Sequence, residues 1–504
     1  MYRCNDTSIQ KYEMINFKKI KDIKLNGADT QAGNRSSAFA IYRNLLNEFD
    51  SKDLFLLESL GPGSIDSKTS LIGINPVLNI EIFDRIVTIS GNEQLLKKIQ
   101  LLYELESILE SSTCMLRYRL TNRKAVWGFL RVLDAQFKMV DSGVLAFAAF
   151  AYNVIYFIED ISGYVQGDIP DITLTCYSTY IEFDDYRVTF HEYGFIGAQS
   201  IGLSDIASSL SLSDTVPVAF VNKTFSIDRE THKKSYLEKA AIALQHVQIG
   251  DVYQIQIGHK ITVRSDVSAL EVYARLRLLN PSPYMYLFDC GHFKVIGASP
   301  ELFVYMKNEE VVMRPIAGTL GKSLVPTKEA ATIQFHANPK EIAEHMMLVD
   351  LCRNDLCRVS LPQSLNVSGL MSIEEYSHVY HMVSTAKSTV KRGCDKYDVI
   401  QASFPAGTMT GAPKIRAIEL ISGIEDSGRG LYAGALGVIG LGVNYVNTAL
   451  CIRTAIKHDN KFSLRASAGI VSDSVIESEY AETLHKMGSV FKAITNEEIS
   501  CHVM

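Results

Sequence analysis

Along the first two hundred residues, apolar positions come in short runs broken by Gly, Pro, Asn and Asp, not at helical spacing. SLIGINPVLNIEIF (70–83), GVLAFAAFAYNVIYF (143–157) and DITLTCYSTYIEFD (171–184) are rich in β-branched and aromatic residues, and the pattern predicts strands. The 143–157 run is too short to span a bilayer and carries Asn153, so it is expected as buried strand throughout. The pattern changes near 205–225. SIDRETHKKSYLEKAAIALQHVQIGD (226–251) has apolar residues at helical spacing, which predicts a helix with Gly250 at its C-cap. VYQIQIGHKITV (252–263) reads as strand and VSALEVYARLRLL (267–279) as helix, and NPSPYMYLFD turns into a further strand. Beyond 340, long helices alternate with short strands. The fold class expected is α+β, with a strand-rich region over 1–215 and a helix-bearing core over 216–504.

Composition excludes several classes. Of 504 residues, 47% are hydrophobic and 21% charged, which is ordinary globular usage. Fifty basic residues stand against 56 acidic ones, a net charge of −6, and no stretch is basic enough for a nucleic-acid surface. None of the nine cysteines forms a CxxC pair, so reduced thiols in a cytoplasmic compartment are expected, without zinc ribbons or disulfides. The start, MYRCNDTSIQKYEM, lacks the apolar core of a secretory signal, and no membrane partner is expected.

Candidate chemistry concentrates after residue 300. KEIAEHMMLVDLCRNDLCRV (340–359) carries Glu341 and Glu344, and ESEYAETLHKM (477–487) carries Glu479 and Glu482. At i, i+3 on a helix each pair shares one face, about 60° apart. Such pairs also occur on solvated helix faces. Four carboxylates without Cys or His at metal spacing suit a hard cation, Mg²⁺ best, with an anionic substrate and water completing its shell. RPIAGT (314–319), FPAGTMTGAPK (404–414), RGLYAGALG (429–437) and RASAGIVSDS (465–474) are small-residue turns whose backbone N–H groups could approach an anion. Arg453 and Lys486 add positive charge for carboxylates. His378 and His381 stand three apart in SHVYHMVS, and either could equally be a core histidine.

IGASPE, RPIAGT, EHMMLVDLCRNDLCRV, HVYHMVS, SFPAGTMTGAPKIRAIELI, GLYAGALG and SEYAETLHK follow in the order of the chorismate-utilising enzymes, and the chain resembles the large subunit of anthranilate synthase over about 225–490. The resemblance implies a chorismate-binding fold of two large facing antiparallel sheets with outer helices. It implies conversion of chorismate and ammonia to anthranilate and pyruvate, with Mg²⁺ held by Glu341, Glu344, Glu479 and Glu482. Gly318, Thr319, Tyr432, Arg453, Gly469 and Lys486 match the positions that hold the substrate's carboxylate and enolpyruvyl groups, and Ser467 stands beside the carboxylate site. Thr408 lies near the reacting ring in the same scheme, and Glu301 matches the acid that protonates the departing 4-hydroxyl. His381 matches the histidine linked to eliminating pyruvate from aminodeoxyisochorismate. An aminodeoxyisochorismate synthase, which aminates without expelling pyruvate, is the near alternative. A tryptophan-binding homologue without catalysis is the distant one.

Two positions separate this chain from related enzymes by the same resemblance. Gln254 stands where water-activating relatives carry a lysine, which favours ammonia as nucleophile. Ala317 stands where C4-aminating relatives carry a nucleophilic lysine, which favours amination at C2. No GxCxG turn is present, so the implied ammonia source is a separate glutamine amidotransferase subunit. Leu57, Glu58, Ser59, Asn280, Pro281, Tyr284 and Met285 match the family's tryptophan pocket, implying feedback inhibition. Among the departures, Ser467 replaces the usual glycine and should crowd its loop, and Cys357 replaces the glycine of RNDLGRV.

Overall fold

The computed structural model describes residues 15–23, 37–60, 69–103, 108–137, 143–210, 223–229, 233–376 and 379–499. Cys4, His378 and Cys501 lie outside the described residues.

Two large antiparallel sheets face each other, joined by one long strand pair. Ser70–Phe83 runs against Ile172–Phe183, with a break in register between Pro76 and Leu78. Pro76 has no N–H for the ladder and Asn75 sits at φ 63, so the pair bends there. The halves on either side of the bend belong to different sheets. Residues 71–74 pair next with Leu54–Glu58, and residues 78–83 with Ile86–Gly91. On the partner strand, residues 179–183 pair with Val188–Phe195, and residues 172–176 with Val144–Phe150.

The first sheet continues from Leu54–Glu58 through Tyr284–Asp289, Lys294–Ser299, Thr454–His458 and Lys461–Ile470 to Gln254–Ser265. The second continues from Val144–Phe150 through Ala435–Leu441, Tyr445–Leu450, Leu302–Lys307 and Glu310–Met313 to Val379–Thr389. Ile316–Gly321 pairs with that last strand as well. Strands from before and after residue 215 therefore share both sheets.

The period of two sorts side chains into two cores. In Leu54–Glu58, Phe55 faces the opposite sheet and packs on Phe147 and Tyr177 at ring distances of 5.5 and 4.9 Å. Its neighbours Leu54 and Leu56 face the other way, into a core shared with helices Ala38–Leu45, Lys233–Gln248, Ala269–Leu279 and Ile476–Thr495. Each fully buried apolar side chain of this kind contributes about 1.5–3 kcal/mol relative to exposure. The fold is thus α+β, with facing sheets and helices outside.

Two expected elements differ from the structure. Only Val144–Phe150 of the 143–157 run is strand, and Tyr152–Phe157 winds into a 3₁₀ helix. The partner strands end at Phe150, after which Ala151 N–H donates to Asp171 O and Tyr152 N–H to Gly430 O, both at 2.8 Å. The expected helix over 226–251 begins only at Lys233; Phe225–Arg229 is strand, paired with residues 261–265. Phe225 and Ile227 fit period two as well as a helix face, and the ladder partner decides. Gly250 does sit past the helix end, at φ 83.

Cys114, Cys176, Cys290, Cys352, Cys357, Cys394 and Cys451 are free thiols. Among the described residues no helix is long and apolar enough to cross a membrane.

Candidate active site

Both glutamate helices form for legible reasons. Pro339–Cys357 opens on Asn338, whose side chain accepts from the N–H groups of Lys340 and Glu341, with Pro339 in the first turn. Its buried face is His345, Leu348, Val349, Cys352, Asp355 and Leu356, an i, i+3, i+4, i+7 stripe. Ile476–Thr495 buries Tyr480, Thr483, Leu484 and Met487 and stops at Asn496 in the left-handed conformation. These faces leave Glu344 and Glu482 lining one cavity of about 170 Å³.

The same cavity is lined by Gln254, Glu301, Ala317, Gly318, Thr319, His381, Thr408, Tyr432, Arg453, Ser467 and Lys486. Three predicted residues stand beside it. Glu341 Oε2 lies so close to Gly318 that a Cβ there would come within 2.7 Å, and Gly318 is held at φ 68. A Cβ on Gly469 would come within 2.6 Å of Gln254 Nε2. At Gly318 the left-handed backbone favours glycine. Glu479 shares Glu482's field, and the two repel.

Electrostatics follow from burial. Glu301 is 8% exposed, and burial pushes its carboxyl up to about 8, against the opposing effects of Thr408, Lys486 and Arg453. Thr408 Oγ1 donates to Glu301 Oε1 at 3.2 Å. His381 is lowered to about 4 by burial, with Arg453 adding to the effect, so its imidazole is neutral. Its Nδ1 donates to Gly318 O at 2.8 Å, which leaves Nε2 with its lone pair. The Arg453 guanidinium has no hydrogen-bonded or ion-paired partner among the described residues, and burial lowers its pKa while Tyr432, Glu482 and Glu301 oppose this. An unpaired, partly buried cation in a cavity calls for an anion.

Glu341, Glu344 and Glu479 are half-buried, and Glu482 is exposed at the rim, 2.5 Å from Lys486. Burial raises the first three, and repulsion among the four carboxylates adds to this. Among the described residues, no three His, Cys, Asp or Glu side chains close on a point. The donors fit a hard cation whose remaining ligands are water and substrate oxygen.

Ser467 does not crowd its surroundings as expected. It lies on the strand Lys461–Ile470, with Oγ 2.6 Å from Tyr432 OH and 3.0 Å from Gln256 Oε1.

Sequence reasoning missed the braces. Glu425 is clamped by Arg429 and Arg465 at 2.9 and 2.7 Å, and their side chains are 3%, 1% and 5% exposed. Burial alone would raise Glu425, but the two guanidinium groups hold it low. Arg429 also donates to Met409 O and Gln256 O, tying the Thr408 turn to the strand bearing Gln254. Lys414 grips both oxygens of Asp355 at 2.8 and 2.7 Å, joining the first glutamate helix to the end of that turn. Charges inside small-residue or apolar runs were the available signal. Glu425→Ala would leave two buried guanidinium groups without their anion. It is expected to cost about 3–5 kcal/mol, read from the urea midpoint. A loss below about 1 kcal/mol, the range of exposed pairs, would remove the brace.

At the matched tryptophan positions, Leu57, Glu58, Tyr284 and Met285 line a separate cavity of about 60 Å³ between the sheets. Glu58 forms part of its wall, but its carboxylate is already engaged. Its carboxylate accepts from Arg277 at 2.7 and 2.9 Å and from Tyr273 OH at 2.7 Å.

The chain belongs to the chorismate binding enzymes, whose family model matches residues 96–492. It is 38% identical over 477 residues to the 2-amino-4-deoxychorismate synthase of Streptomyces globisporus, covering 92% of this chain and 95% of that protein. It is also 38% identical over 292 residues to an anthranilate synthase component 1 of Neisseria meningitidis serogroup A. That match covers 58% of this chain and 59% of the relative, so the chain spans about three-fifths of the relative's length. Among solved structures, anthranilate synthase component I from Streptococcus pneumoniae superposes with a TM-score of 0.67 at 26% identity, over 85% of this chain and 93% of that one. The menaquinone-specific isochorismate synthase of Escherichia coli shares the fold, with a TM-score of 0.65 at 17% identity over 96% of each chain.

Proposed function

We propose that this chain aminates chorismate at ring carbon 2, with loss of the 4-hydroxyl as water, to give 2-amino-4-deoxychorismate. The observation that carries the reading is a buried Glu301, its carboxyl pushed up to about 8, set in a cavity with an unpaired Arg453 and no lysine at 254 or 317. Arg453 and Lys486 would hold the carboxylates of the substrate, helped by the backbone at Gly318, Thr319 and Gly469. Glu301 would give its proton to the departing hydroxyl, with Thr408 fixing the carboxyl. Glu341, Glu344, Glu479 and Glu482 would hold Mg²⁺, directly or through water; when bound, the ion supplies positive charge at the ring carboxylate. Gln254 is a neutral amide and cannot take a proton from water near neutral pH, and Ala317 offers no nucleophile, so free ammonia is the reactant. A glutamine amidotransferase subunit would supply it. The relative matched along almost its whole length carries the name of this product.

A second reading adds one step, pyruvate release to anthranilate. His381 favours it, being neutral with Nε2 unprotonated and therefore able to take a ring proton. Incubation with chorismate, Mg²⁺ and ammonium decides between them. Accumulation of the non-aromatic amino acid is the expected result. Fluorescent anthranilate with one pyruvate per chorismate supports the second reading, and no consumption of chorismate overturns both.

We extend the proposal to feedback by tryptophan at Leu57, Glu58, Ser59, Asn280, Pro281, Tyr284 and Met285. Binding there requires Glu58 to exchange Arg277 for the ligand's ammonium and the sheets to part around the small cavity.

A further inference from the structure

One hydroxyl chain in the cavity has a fixed direction, and its consequence rests on the amination reading above. Ser467 is buried at 1% exposure, and its Oγ lies 3.0 Å from Gln256 Oε1. An amide carbonyl oxygen only accepts, so the Ser467 hydroxyl donates to it. A serine hydroxyl has one proton. Its 2.6 Å contact with Tyr432 must then run the other way, with the phenol donating to Ser467 Oγ. Tyr432 also has one proton, and it is donated to Ser467 Oγ. The phenol therefore meets the rest of the cavity with lone pairs alone. The nearby Arg429 guanidinium lies over the ring, 5.9 Å from its centroid, and does not replace the hydroxyl proton. Lys486 is already shared between Glu482 and Ser467 O, at 2.5 and 2.9 Å. Arg453 is left as the principal free donor for a carboxylate on this side.

We propose that Ser467 is a specificity-determining residue: by binding the proton of Tyr432 it withholds a donor from the enolpyruvyl group, so that this group stays on the ring after amination. The bond changes make the dependence explicit. To lose pyruvate, 2-amino-4-deoxychorismate gives its C2 proton to a base, and the C–H electron pair becomes the ring double bond that completes aromaticity. The C3–O bond breaks, and enolpyruvate departs with the electron pair of the C3–O bond. It then takes a proton on its methylene carbon and becomes pyruvate. Negative charge grows on the departing group as the bond stretches, so a donor aimed at it acts mainly in the transition state. A single donor of this kind is worth about 10²–10³ in rate. A phenol that presents lone pairs supplies none of this and repels the anion. Amination releases its leaving group at C4 instead, through Glu301, and does not call on Tyr432.

The test compares the wild type with Ser467→Gly and Ser467→Ala, each given chorismate, Mg²⁺ and ammonium. Pyruvate is measured with lactate dehydrogenase and divided by chorismate consumed. In both variants the Tyr432 hydroxyl no longer donates to Ser467, and the ratio is expected to rise by about tenfold or more from a low wild-type value. Adding Tyr432→Phe to Ser467→Gly should cancel the gain, which a merely structural effect of the serine would not predict. The alanine variant keeps a Cβ in place should the glycine variant fail to fold. Chorismate consumption at an unchanged ratio in both variants overturns this inference alone. A wild type that releases one pyruvate per chorismate also overturns it. A wild type that consumes no chorismate overturns the amination reading first.

Discussion

Glu301→Gln is expected to lower turnover by about 10²- to 10⁴-fold, the usual worth of a positioned general acid. Glutamine keeps the size of the side chain and can still accept from Thr408, but it has no proton to give the leaving hydroxyl. Chorismate affinity should change little, because in the proposed function Arg453 and Lys486, not Glu301, would hold the substrate's carboxylates. The pH dependence carries the sharper test. Burial holds the Glu301 carboxyl near 8, so it is protonated at neutral pH and ionises as pH rises further. The acid is thus lost on the alkaline side. Ammonia complicates the reading, since its free fraction climbs over the same range, so kcat should be normalised to free ammonia or measured with glutamine and a competent amidotransferase. Wild-type turnover, so normalised, is expected to fall as pH rises through about 8. The glutamine variant should show no such limb. A limb of the same midpoint in the variant would assign it to another group.

What the sequence made legible was local or carried by motif. The glutamate helices each carry an apolar stripe and i, i+3 acids visible within twenty residues, and the first adds an Asn-Pro start. Gly318 could be marked as a small residue near an anion, though not why glycine is favoured there; the reason is its φ of 68, with the Phe335 ring and Glu341 one Cβ away in space. The elements that escaped are those decided by partners far along the chain. Phe225–Arg229 becomes strand because residues 261–265 lie beside it, and Tyr152–Phe157 leaves the sheet because its partner strands end. The Glu425–Arg429–Arg465 brace joins charges up to forty residues apart, and nothing in their spacing announces it. Ser467 illustrates the same limit in the site itself. A serine in place of glycine suggested crowding, whereas its meaning depends on Gln256 and Tyr432, each brought to it across the sheet.

Glu344→Ala and Glu482→Ala are each expected to lower turnover by more than about a hundredfold, because charge stabilisation by a bound cation is worth several kcal/mol. The physical case begins with repulsion. Burial raises the Glu344 carboxyl, and Glu341 and Glu482 raise it further, while only Lys486 and Lys340 oppose them. A raised carboxyl costs stability once it ionises: the native state holds the proton more tightly than the unfolded chain, so stability falls as pH rises above the ordinary carboxylate range. At neutral pH without added metal, the wild type therefore carries strain that Mg²⁺ should relieve by binding the folded form, raising its melting temperature. Each alanine variant removes one of the repelling acids. Its metal-free melting temperature should be no lower than that of the wild type, while the rise on adding Mg²⁺ should shrink or vanish. Activity thus falls without a loss of metal-free stability, an outcome that simple misfolding cannot produce. Variants that are activated and stabilised at the wild-type Mg²⁺ concentration would show that these carboxylates do not hold the ion.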